Sequence, residues 1–469
     1  MINQIKNICC IGAGYVGGPT MAVIAKKCPH IEVNVVDINE ERIKKWNSKN
    51  LTELPIYEPG LSTIISENRG VNLYFSSNVN EEISRADLIF ISVNTPTKKK
   101  GVGAGQASDL KWIEASARRI SEFAKDKTIV VEKSTLPVKT AQTIKEILEV
   151  PNSKSNNGKT FYVLSNPEFL AEGTAIDDLE KPDRVLIGGE DKEPISALVE
   201  IYLNWVDKSK IITTDLWSSE LSKLIANAFL AQRISSINSI SALCETTGAN
   251  INEVAKAIGS DKRIGDLFLN AGPGFGGSCF KKDILNLIYI CNHYGLFDVS
   301  AYWQKVIDID NWQRKRVSNL IVQKLFGTVS GKKIGILGFS FKANTNDTRE
   351  SPAISICKDL IEEGALIHIF DPQVDPLQIA NDLSLKESTK NSSLSEDGKW
   401  FFAPTILDAA RDADALIIIT DWYHFDNINW VKIASVMRSP SWLFDTRSQV
   451  KKEKIESFGI KVWQLGNGV

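Results

Sequence analysis

The sequence predicts an α/β protein in which two doubly wound domains are joined by a helical region with a long central helix. Three observations support this fold class. Short apolar runs alternate with helical stretches up to about residue 213, the alternation stops between Trp217 and Phe326, and it resumes at Lys332. Such alternation is typical of Rossmann-like sheets that helices cover on both faces. We therefore expect domains at residues 1–213, 214–330 and 331–469.

The amino-terminal segment predicts a strand, a glycine turn and a helix. Residues 8–11 are Ile-Cys-Cys-Ile, residues 12–17 are Gly-Ala-Gly-Tyr-Val-Gly, and an apolar stretch continues through Ala25. In such a turn Gly12 permits the tight bend, Gly14 lets the backbone approach a pyrophosphate, and Gly17 lets the helix pack on the strand. A glycine-rich turn in another kind of α/β protein remains the alternative.

An acidic residue follows the second predicted strand. The apolar run at residues 31–36 ends in Asp37. This is about the 20-residue spacing at which an acid binds a ribose 2′-hydroxyl. Because a carboxylate there repels a 2′-phosphate, we expect the cofactor to be NAD and not NADP. The rest of the first domain is predicted to continue the parallel sheet, with strands at residues 88–93, 128–132, 161–165 and 184–187 and a surface loop at 151–159.

The central region predicts one long helix. Between Gly295 and Gly327 there is neither glycine nor proline, and apolar residues recur at helical spacing. A helix of ~30 residues spans ~45 Å. One small domain does not bury such a helix, so we expect it to join two domains and to offer a dimer surface. Two helices with an irregular joint are the alternative.

The α/β pattern resumes with a second strand and turn at residues 333–338, Lys-Ile-Gly-Ile-Leu-Gly. This turn lacks a full GxGxxG motif but is followed by Phe341, Lys342 and Arg349. Fixed cations suit phosphate oxygens, so the pattern indicates a nucleotide such as UDP or GDP. Further strands are predicted at residues 365–370, 415–420 and 442–445, and Asp371 follows the first of them.

The most informative stretch is residues 274–283, Gly-Phe-Gly-Gly-Ser-Cys-Phe-Lys-Lys-Asp. Its glycines let a ligand approach closely. If Ser278 opens a helix, Cys279 lies in the first turn, where the helix dipole favours a thiolate, and Asp283 lies on the same face. We therefore interpret Cys279 as a covalent nucleophile. A loop cysteine without a chemical role is the alternative.

The amino-acid composition limits the kinds of molecule that we expect this protein to bind. The net charge is −2, and the longest basic run is Lys98-Lys99-Lys100, so we expect neither nucleic acid nor membrane partners. The seven cysteines have no regular spacing, which favours reduced thiols over disulfides or a metal site. The apolar run at residues 8–25 contains glycines and Pro19 and does not read as a signal peptide. We expect a cytoplasmic protein without a bound metal.

Several motifs together resemble the UDP-glucose/GDP-mannose dehydrogenase family, in particular its eukaryotic-type members that oxidise UDP-glucose. The resemblance covers nearly the whole chain. The matching segments are the Gly12 turn, Asn-Thr-Pro-Thr at residues 94–97, Glu-Lys-Ser-Thr at 132–135, Ser-Asn-Pro-Glu-Phe-Leu-Ala-Glu-Gly at 165–173, Ser-Glu-Leu-Ser-Lys-Leu-Ile-Ala-Asn at 219–227, 274–283, and Gly-Phe-Ser-Phe-Lys at 338–342. The resemblance implies that the C6 alcohol of UDP-glucose is oxidised to a carboxylate with two NAD.

The residues explain how such a reaction works. An aldehyde donates no second hydride until a nucleophile adds to it, and Cys279 supplies that nucleophile. Lys223 and Asn227, one helical turn apart, are predicted to face one substrate oxygen, and Asp283 to share a water with Lys223. Glu168 is the candidate base for the hydrolytic water. Thr135 is predicted to help to position that water.

The resemblance also implies the binding residues. For the cofactor these are Gly12, Gly14, Tyr15, Val16, Gly17, Asp37, Arg42, Thr95, Thr135, Glu172, Lys282 and Arg349. For the substrate these are Glu168, Phe169, Leu170, Ala171, Glu172, Lys223, Asn227, Arg263, Phe275, Gly276, Phe341, Lys342 and Arg447. Backbone N–H groups at residues 169–172 and 270–275 are expected to hold the sugar and uracil. Arg263 is expected to reach across from a second subunit, so we expect a homo-oligomer, either a dimer or a dimer-based hexamer.

Three other functions remain open at this point. A two-electron dehydrogenase would need the glycine turn but not Cys279. A 6-dehydrogenase of another nucleotide sugar, such as GDP-mannose or a UDP-N-acetylhexosamine, would share the mechanism. A non-catalytic nucleotide-sugar binding protein would not need Cys279, Lys223 or Asp283, and all three are present.

Overall fold

The computed structural model describes residues 4–134, 140–149, 158–388, 398–422, 425 and 427–468. The chain forms two compact units. The first unit is Met1–Ala226 with Leu285–Gly295, and the second is Asn227–Ile284 with Leu296–Val469. The predicted helical region, residues 214–330, falls partly in each unit. The existence of three separate domains therefore stays a prediction.

The first unit contains an eight-stranded sheet in the order β3-β2-β1-β4-β5-β6-β7-β8. Its strands are β1 (Asn7–Ile11), β2 (Glu32–Val36), β3 (Leu73–Ser76), β4 (Leu88–Ile91), β5 (Thr128–Glu132), β6 (Phe161–Ser165), β7 (Val185–Gly188) and β8 (Ile211–Thr214). Its helices are α1 (Gly17–Lys27), α2 (Glu40–Trp46), α3 (Leu61–Asn68), α4 (Val79–Arg85), α5 (Lys111–Phe123), α6 (Thr140–Glu149), α7 (Ala175–Glu180) and α8 (Lys192–Tyr202).

Alternate side chains of the strands fill two cores, one on each face of this sheet. On β1, Ile8 and Cys10 belong to one apolar cluster, whereas Cys9 and Ile11 belong to the other. A strand that is buried on both faces is continuously apolar, which explains why the sequence revealed it. The prediction that the sheet continues in parallel is wrong at β7, which pairs antiparallel with β6. The short helix α7 between these strands makes no parallel crossover.

The second unit contains a six-stranded parallel sheet in the order β11-β10-β9-β12-β13-β14. Its strands are β9 (Lys333–Leu337), β10 (Leu366–Phe370), β11 (Lys399–Phe402), β12 (Ala415–Ile418), β13 (Ser441–Asp445) and β14 (Ile460–Gln464). In each sheet the chain reverses its direction of winding, between β1 and β4 and between β9 and β12. Ligands of doubly wound sheets bind at such a switch point, beyond the carboxyl ends of the strands.

Helices form the central region, as predicted. They are α9 (Leu216–Thr247), α10 (Ile251–Gly259), α11 (Phe280–His293) and α12 (Phe297–Lys324). The predicted long helix is confirmed as α12, with 28 residues, and the alternative of two helices is wrong. Helix α9, with 32 residues, is longer still. The second unit also contains α13 (Pro352–Glu362), α14 (Pro376–Leu383), α15 (Ile406–Ala410), α16 (Trp430–Val436) and α17 (Lys452–Glu456).

Three further expectations from the sequence concern a loop, a membrane and a metal. Most of the loop expected at residues 151–159 lies outside the described residues. Among the helices of the described part, none is long and apolar enough to cross a membrane. Nor do the described residues place three His, Cys, Asp or Glu side chains together as a metal site would require.

A buried pair of carboxyl groups joins β5 to α9 in the first unit. Glu132 is 2% exposed and hydrogen-bonds to Glu220. Glu220 also accepts a hydrogen bond from the Ala141 N–H of α6, with 2.7 Å between the nitrogen and Oε1. Because one carboxylate cannot donate to another, the bond between the two glutamates requires a proton. Burial and then the charge of Glu220 raise the pKa of Glu132 well above its ordinary value.

Glu132→Gln is expected to stabilise the fold at alkaline pH. An acid whose pKa is raised in the folded state is protonated there while the unfolded chain ionises, so wild-type stability falls as pH rises above the ordinary range of a carboxyl. Glutamine keeps a donor to Glu220 at every pH. We expect the melting temperature at pH ~8 to rise by roughly 2–4 °C, with the gain shrinking towards pH ~5. Calorimetry measures this, with exposed Glu122→Gln as the control; a gain that does not depend on pH would contradict a shared proton.

Candidate active site

The glycine turn between β1 and α1 has the three properties that the sequence predicts. Gly12 has φ +111°, and a Cβ there would lie 2.3 Å from the Ser92 carbonyl oxygen. A Cβ at Gly14 would meet no atom within 4 Å, so a ligand can approach this backbone. A Cβ at Gly17 would lie 2.0 Å from the Gly12 oxygen, which explains the close packing of helix on strand.

Asp37 lies beside this turn at the carboxyl end of β2. Its Oδ2 accepts a hydrogen bond from the Ala13 N–H at 3.0 Å and pairs with Arg42 Nη1 at 3.0 Å. Its Oδ1 accepts from the Asn39 N–H at 2.9 Å. An open glycine backbone, the start of a helix and a fixed carboxylate are what the pyrophosphate and ribose of NAD require, so the residues fit this cofactor.

The remaining predicted cofactor residues are divided between the units. In the first unit these are Tyr15, Val16, Thr95 and Glu172. In the second unit these are Lys282 and Arg349. Thr95 is buried and follows β4, the strand next to β1 in the sheet. Thr135, to which the sequence assigned both catalysis and cofactor binding, lies outside the described residues.

Glu168 and Lys223 form a buried ion pair in the first unit. Lys223 Nζ lies 3.4 Å from Glu168 Oε1, and each side chain is 5% exposed. Glu168 Oε2 accepts from the Leu170 N–H at 3.0 Å. The Phe169 ring has the Arg184 guanidinium carbon 3.9 Å and Lys223 Nζ 5.3 Å from its centroid. The candidate base is thus held in place at both carboxylate oxygens.

Sequence reasoning did not single out Lys133, a buried lysine that follows β5. Its Nζ donates to Asn166 Oδ1 at 3.0 Å and to the Tyr202 hydroxyl at 3.3 Å. Burial lowers the pKa of Lys133 to about 8, and the charge of Glu168 opposes that shift. The sequence feature that could have drawn attention to this residue is a lysine directly after the buried strand Thr-Ile-Val-Val-Glu.

Cys279 lies at the amino-terminal end of α11 in the second unit. The helix begins at Phe280, so the prediction that Cys279 lies inside the first turn is wrong by one residue. The Cys279 carbonyl accepts from the Asp283 N–H at 2.8 Å, as an N-cap residue does. Its Sγ lies 3.4 Å from Ser278 Oγ. All seven cysteines lie in the described residues, and Cys279 is the one that is not buried.

Asp283 is held by the amide of Asn227. Asn227 Nδ2 donates to Asp283 Oδ2 at 2.6 Å, and both side chains are buried. Lys282 Nζ lies 3.8 Å from Asp283 Oδ1. The sequence interpretation directed Asn227 and Lys223 at one substrate oxygen. In the structure Lys223 pairs with Glu168 and Asn227 donates to Asp283.

The backbone of the glycine loop before Cys279 is fixed by two charged residues of α12. Asp310 Oδ1 accepts from the Phe275 N–H at 2.8 Å, and Arg314 donates from Nη2 to the Phe275 carbonyl. Arg314 also donates to Asp310 Oδ2 at 2.9 Å and to the Glu350 carbonyl at 3.1 Å. This buried pair, which the sequence did not reveal, ties the loop to the segment after β9.

The segment after β9 packs directly on the glycine loop. A Cβ at Gly276 would lie 2.5 Å from the Cβ of Phe341, so nothing larger than glycine fits. Asp371, at the end of β10, accepts from the N–H groups of Phe339 and Ser340 at 2.7 and 3.0 Å. This carboxylate organises the second turn, much as Asp37 does the first.

Three of the cations predicted to bind ligand lie in the second unit. Lys342 Nζ lies 5.6 Å from the centroid of the Phe341 ring, and Arg349 pairs with Asp347. Arg447 is half-buried and donates from Nε to the Ile419 carbonyl at 2.7 Å. Burial lowers the pKa of Arg447, and two aspartates oppose that shift. A fixed guanidinium of this kind suits an anionic ligand.

Comparison with known proteins shows which family the chain matches. Three sequence models of the UDP-glucose/GDP-mannose dehydrogenase family match: its NAD binding domain at residues 6–206, its central domain at 217–312 and its UDP binding domain at 335–452. The chain belongs to this family. It is therefore an NAD-dependent oxidoreductase.

Curated relatives of this dehydrogenase match almost end to end. "UDP-glucose 6-dehydrogenase 3" of rice is 53% identical and covers 98% of this chain and 96% of its own. "UDP-glucose 6-dehydrogenase" of chicken is 53% identical and covers 99% of this chain and 94% of its own. A solved UDP-glucose dehydrogenase from the archaeon Pyrobaculum islandicum is 28% identical, covers 99% and 98% of the two chains, and has a TM-score of 0.81.

Several backbone amides that were expected to bind the sugar and uracil are already bonded within the dehydrogenase. The N–H groups of Leu170 and Ala171 donate to carboxylates at 3.0 and 2.8 Å. Those of Gly272 and Phe275 donate to side-chain oxygens, each at 2.8 Å. In this structure these four amides order their loops, so the prediction that they contact the ligand is not supported.

Arg263 follows α10 in the second unit. Its side chain is 89% exposed and pairs with Asp261 at 2.6 Å. The role of Arg263 in a second subunit stays a prediction.

Proposed function

We propose that this dehydrogenase oxidises UDP-glucose to UDP-glucuronate with two NAD, through a thiohemiacetal and a thioester of Cys279. The observation that carries the proposal is the half-buried thiol of Cys279 at the start of α11, in a chain whose other six cysteines are buried. Buried thiols are poor nucleophiles, because burial raises the pKa of groups such as Cys10 and Cys357. The relatives named UDP-glucose 6-dehydrogenase support the choice of substrate.

The reaction balances as an alcohol, two NAD⁺ and water giving a carboxylate, two NADH and three protons. NAD supplies the hydride acceptor for each oxidation. Between the two oxidations, the Cys279 thiolate adds to the aldehyde carbon and forms a C–S bond. After the second oxidation, water adds to the thioester carbonyl, and the C–S bond breaks to return the thiol.

Each catalytic side chain has a role that follows from its charge. Glu168, held by Lys223 and a backbone amide, is the base that removes a proton from the hydrolytic water. Lys223 and Asn227 stabilise negative charge on the substrate oxygen once ligand displaces their present partners. Asp283 exchanges a proton with a water shared with Lys223. Thr135 positions the hydrolytic water.

The substrate is an anion, and the fixed cations of the second unit suit its pyrophosphate. Lys342 and Arg447 serve this role within one chain, and Arg263 serves it from a neighbouring subunit. The exposure of Arg263, 89%, agrees with a partner that lies outside its own chain. We therefore expect a homodimer or a dimer-based hexamer, located in the cytoplasm, in which assembly completes the site.

The stoichiometry of NADH formation tests this function. With UDP-glucose limiting and NAD in excess, we expect two NADH per UDP-glucose consumed, measured by absorbance and by chromatography of the sugar nucleotides. A two-electron dehydrogenase would yield one NADH and free aldehyde. GDP-mannose and UDP-N-acetylhexosamines, assayed in parallel, separate the alternative substrates, and faster turnover with either would overturn the assignment to UDP-glucose.

A further inference from the structure

Asp310 and Arg314 form a buried ion pair on α12. Their exposed fractions are 2% and 8%. Arg314 Nη2 lies 2.8 Å from Asp310 Oδ2, and Arg314 Nε donates to the same oxygen at 2.9 Å. Residues four apart lie on one face of a helix, so α12 holds the two side chains together. Because the removal of two charges from water is costly, a buried ion pair is weak evidence for stability. Stability alone therefore does not explain this pair.

Both charges bind the backbone of one residue in the glycine loop. Asp310 Oδ1 accepts from the Phe275 N–H at 2.8 Å, and Arg314 Nη2 donates to the Phe275 carbonyl. The loop spans residues 274–277 and has three glycines, which lose more conformational freedom on folding than other residues do. A Cβ at Gly274 would lie 2.9 Å from Asp310 Oδ1 and 3.0 Å from Arg314 Nε. The ion pair thus packs directly against the loop and fixes its backbone.

Arg314 also holds Glu350, whose surroundings include both sides of Cys279. Arg314 Nη1 donates to the Glu350 carbonyl at 3.1 Å. The carbonyl of the residue before Glu350 accepts from the Gly277 N–H at 2.8 Å, two residues before Cys279. Glu350 Oε2 lies 2.8 Å from Lys281 Nζ, two residues after Cys279. The backbone on each side of the thiol is therefore tied to a segment that Arg314 orients.

The position of the Cys279 thiol decides how fast it reacts with the aldehyde. The thiolate gives its electron pair to the aldehyde carbon, and the carbonyl π electrons move to the oxygen as the C–S bond forms. Reacting atoms must approach to roughly 3–3.5 Å, and a misplacement of about 1 Å costs as much as ~10²-fold in rate. One residue, Ser278, separates Cys279 from Gly277. A change in the loop backbone is thus passed directly to the thiol.

We propose that Asp310 and Arg314 are positioning residues that direct the Cys279 thiolate at the aldehyde carbon. The inference rests on the proposed function. Removal of the first hydride from the alcohol requires no thiol, whereas removal of the second requires the C–S bond. Loss of the ion pair therefore slows the second oxidation and leaves the first in place.

The test compares Arg314→Lys and Asp310→Asn with the wild type in single turnovers, with full-length enzyme in excess over UDP-glucose and with saturating NAD. Rapid-mixing absorbance follows NADH from the two oxidations. Lysine keeps the charge, but its single nitrogen lacks the planar fork that serves the Phe275 and Glu350 carbonyls. For Arg314→Lys we expect the second phase to slow at least about 10-fold relative to the first. Asp310→Asn keeps an acceptor for the Phe275 N–H and should show a smaller slowing in the same direction.

Two controls separate position from stability. The ratio of the two phase rates belongs to each folded molecule, so a loss of folded enzyme does not change it. Val317→Ala lies on the same helix, in the apolar core of the second sheet, and should lower the melting temperature through a cavity while it keeps the wild-type ratio. Hydroxylamine added during the delay in Arg314→Lys should capture the aldehyde as an oxime, because the C–S bond has not yet formed.

The outcomes distinguish this inference from the proposed function. The wild type is measured first, and one NADH per UDP-glucose would mean that the proposed function has failed. Two NADH in the wild type, with an unchanged ratio of phases in both ion-pair variants, would overturn the present inference. A ratio that falls equally in Val317→Ala would also overturn it, because the effect would then belong to stability. If Arg314→Lys does not fold, Asp310→Asn decides by the same criterion.

Discussion

Cys279→Ala is expected to reduce steady-state NADH formation by at least about 10³-fold, which is the scale of loss when a covalent nucleophile is removed. Without a thiolate the aldehyde has no nucleophile, so the second hydride is not released and hydrolysis has no thioester to act on. With enzyme in excess over UDP-glucose, the variant should form at most one NADH per substrate. Rapid-mixing absorbance measurements resolve this single oxidation.

Cys291→Ala is the matched control, because it removes a thiol from α11, the helix that Cys279 directly precedes. Cys291 is 6% exposed, and burial raises the pKa of its thiol. This variant should lose some stability through the small cavity that it creates but should keep two NADH per UDP-glucose. If Cys279→Ala also produced two NADH, Cys279 would not be the nucleophile.

The fold was predictable where strands are buried on both faces. Central strands such as β1 and β9 are short apolar runs followed by a glycine turn, and both appear in the sequence within one residue of their observed limits. The four strands that sequence reasoning missed are the four edges of the two sheets: β3, β8, β11 and β14. Edge strands have a partner on one side only and tolerate polar residues. In β8, Ile-Ile-Thr-Thr, no residue is fully buried.

The candidate site was predictable where spacing along the chain carries the chemistry. Cys279 and Asp283 are four residues apart, and their positions at the start of α11 follow from that spacing to within one residue. The residues that hydrogen-bond to the site and fix its geometry could not be found from spacing along the chain. The Lys133–Asn166 bond joins residues 33 positions apart, and the bond from Arg314 to Phe275 joins residues 39 apart. Only the fold brings such residues into contact, because no local pattern links them.

Gly12→Ala is expected to destabilise the fold strongly. Its Cβ would lie 2.3 Å from the Ser92 carbonyl oxygen, a backbone atom that cannot yield without moving β4, and φ +111° is strained for alanine. We expect a loss of several kcal/mol, in the range of about 4 or more that single substitutions seldom reach. Thermal unfolding measures this loss, and little NAD binding should remain.

Gly14→Ala is the informative counterpart, because a Cβ there meets no protein atom within 4 Å. The melting temperature should therefore stay close to that of the wild type. NAD affinity measured by calorimetry should nevertheless fall at least about 10-fold, since the methyl group occupies the space through which the pyrophosphate approaches the backbone. A Gly14→Ala enzyme that bound NAD normally would place the pyrophosphate elsewhere, whereas a stable Gly12→Ala enzyme would mean that the turn can relax. Comparison of the two variants therefore separates the contribution of the turn to folding stability from its contribution to NAD binding.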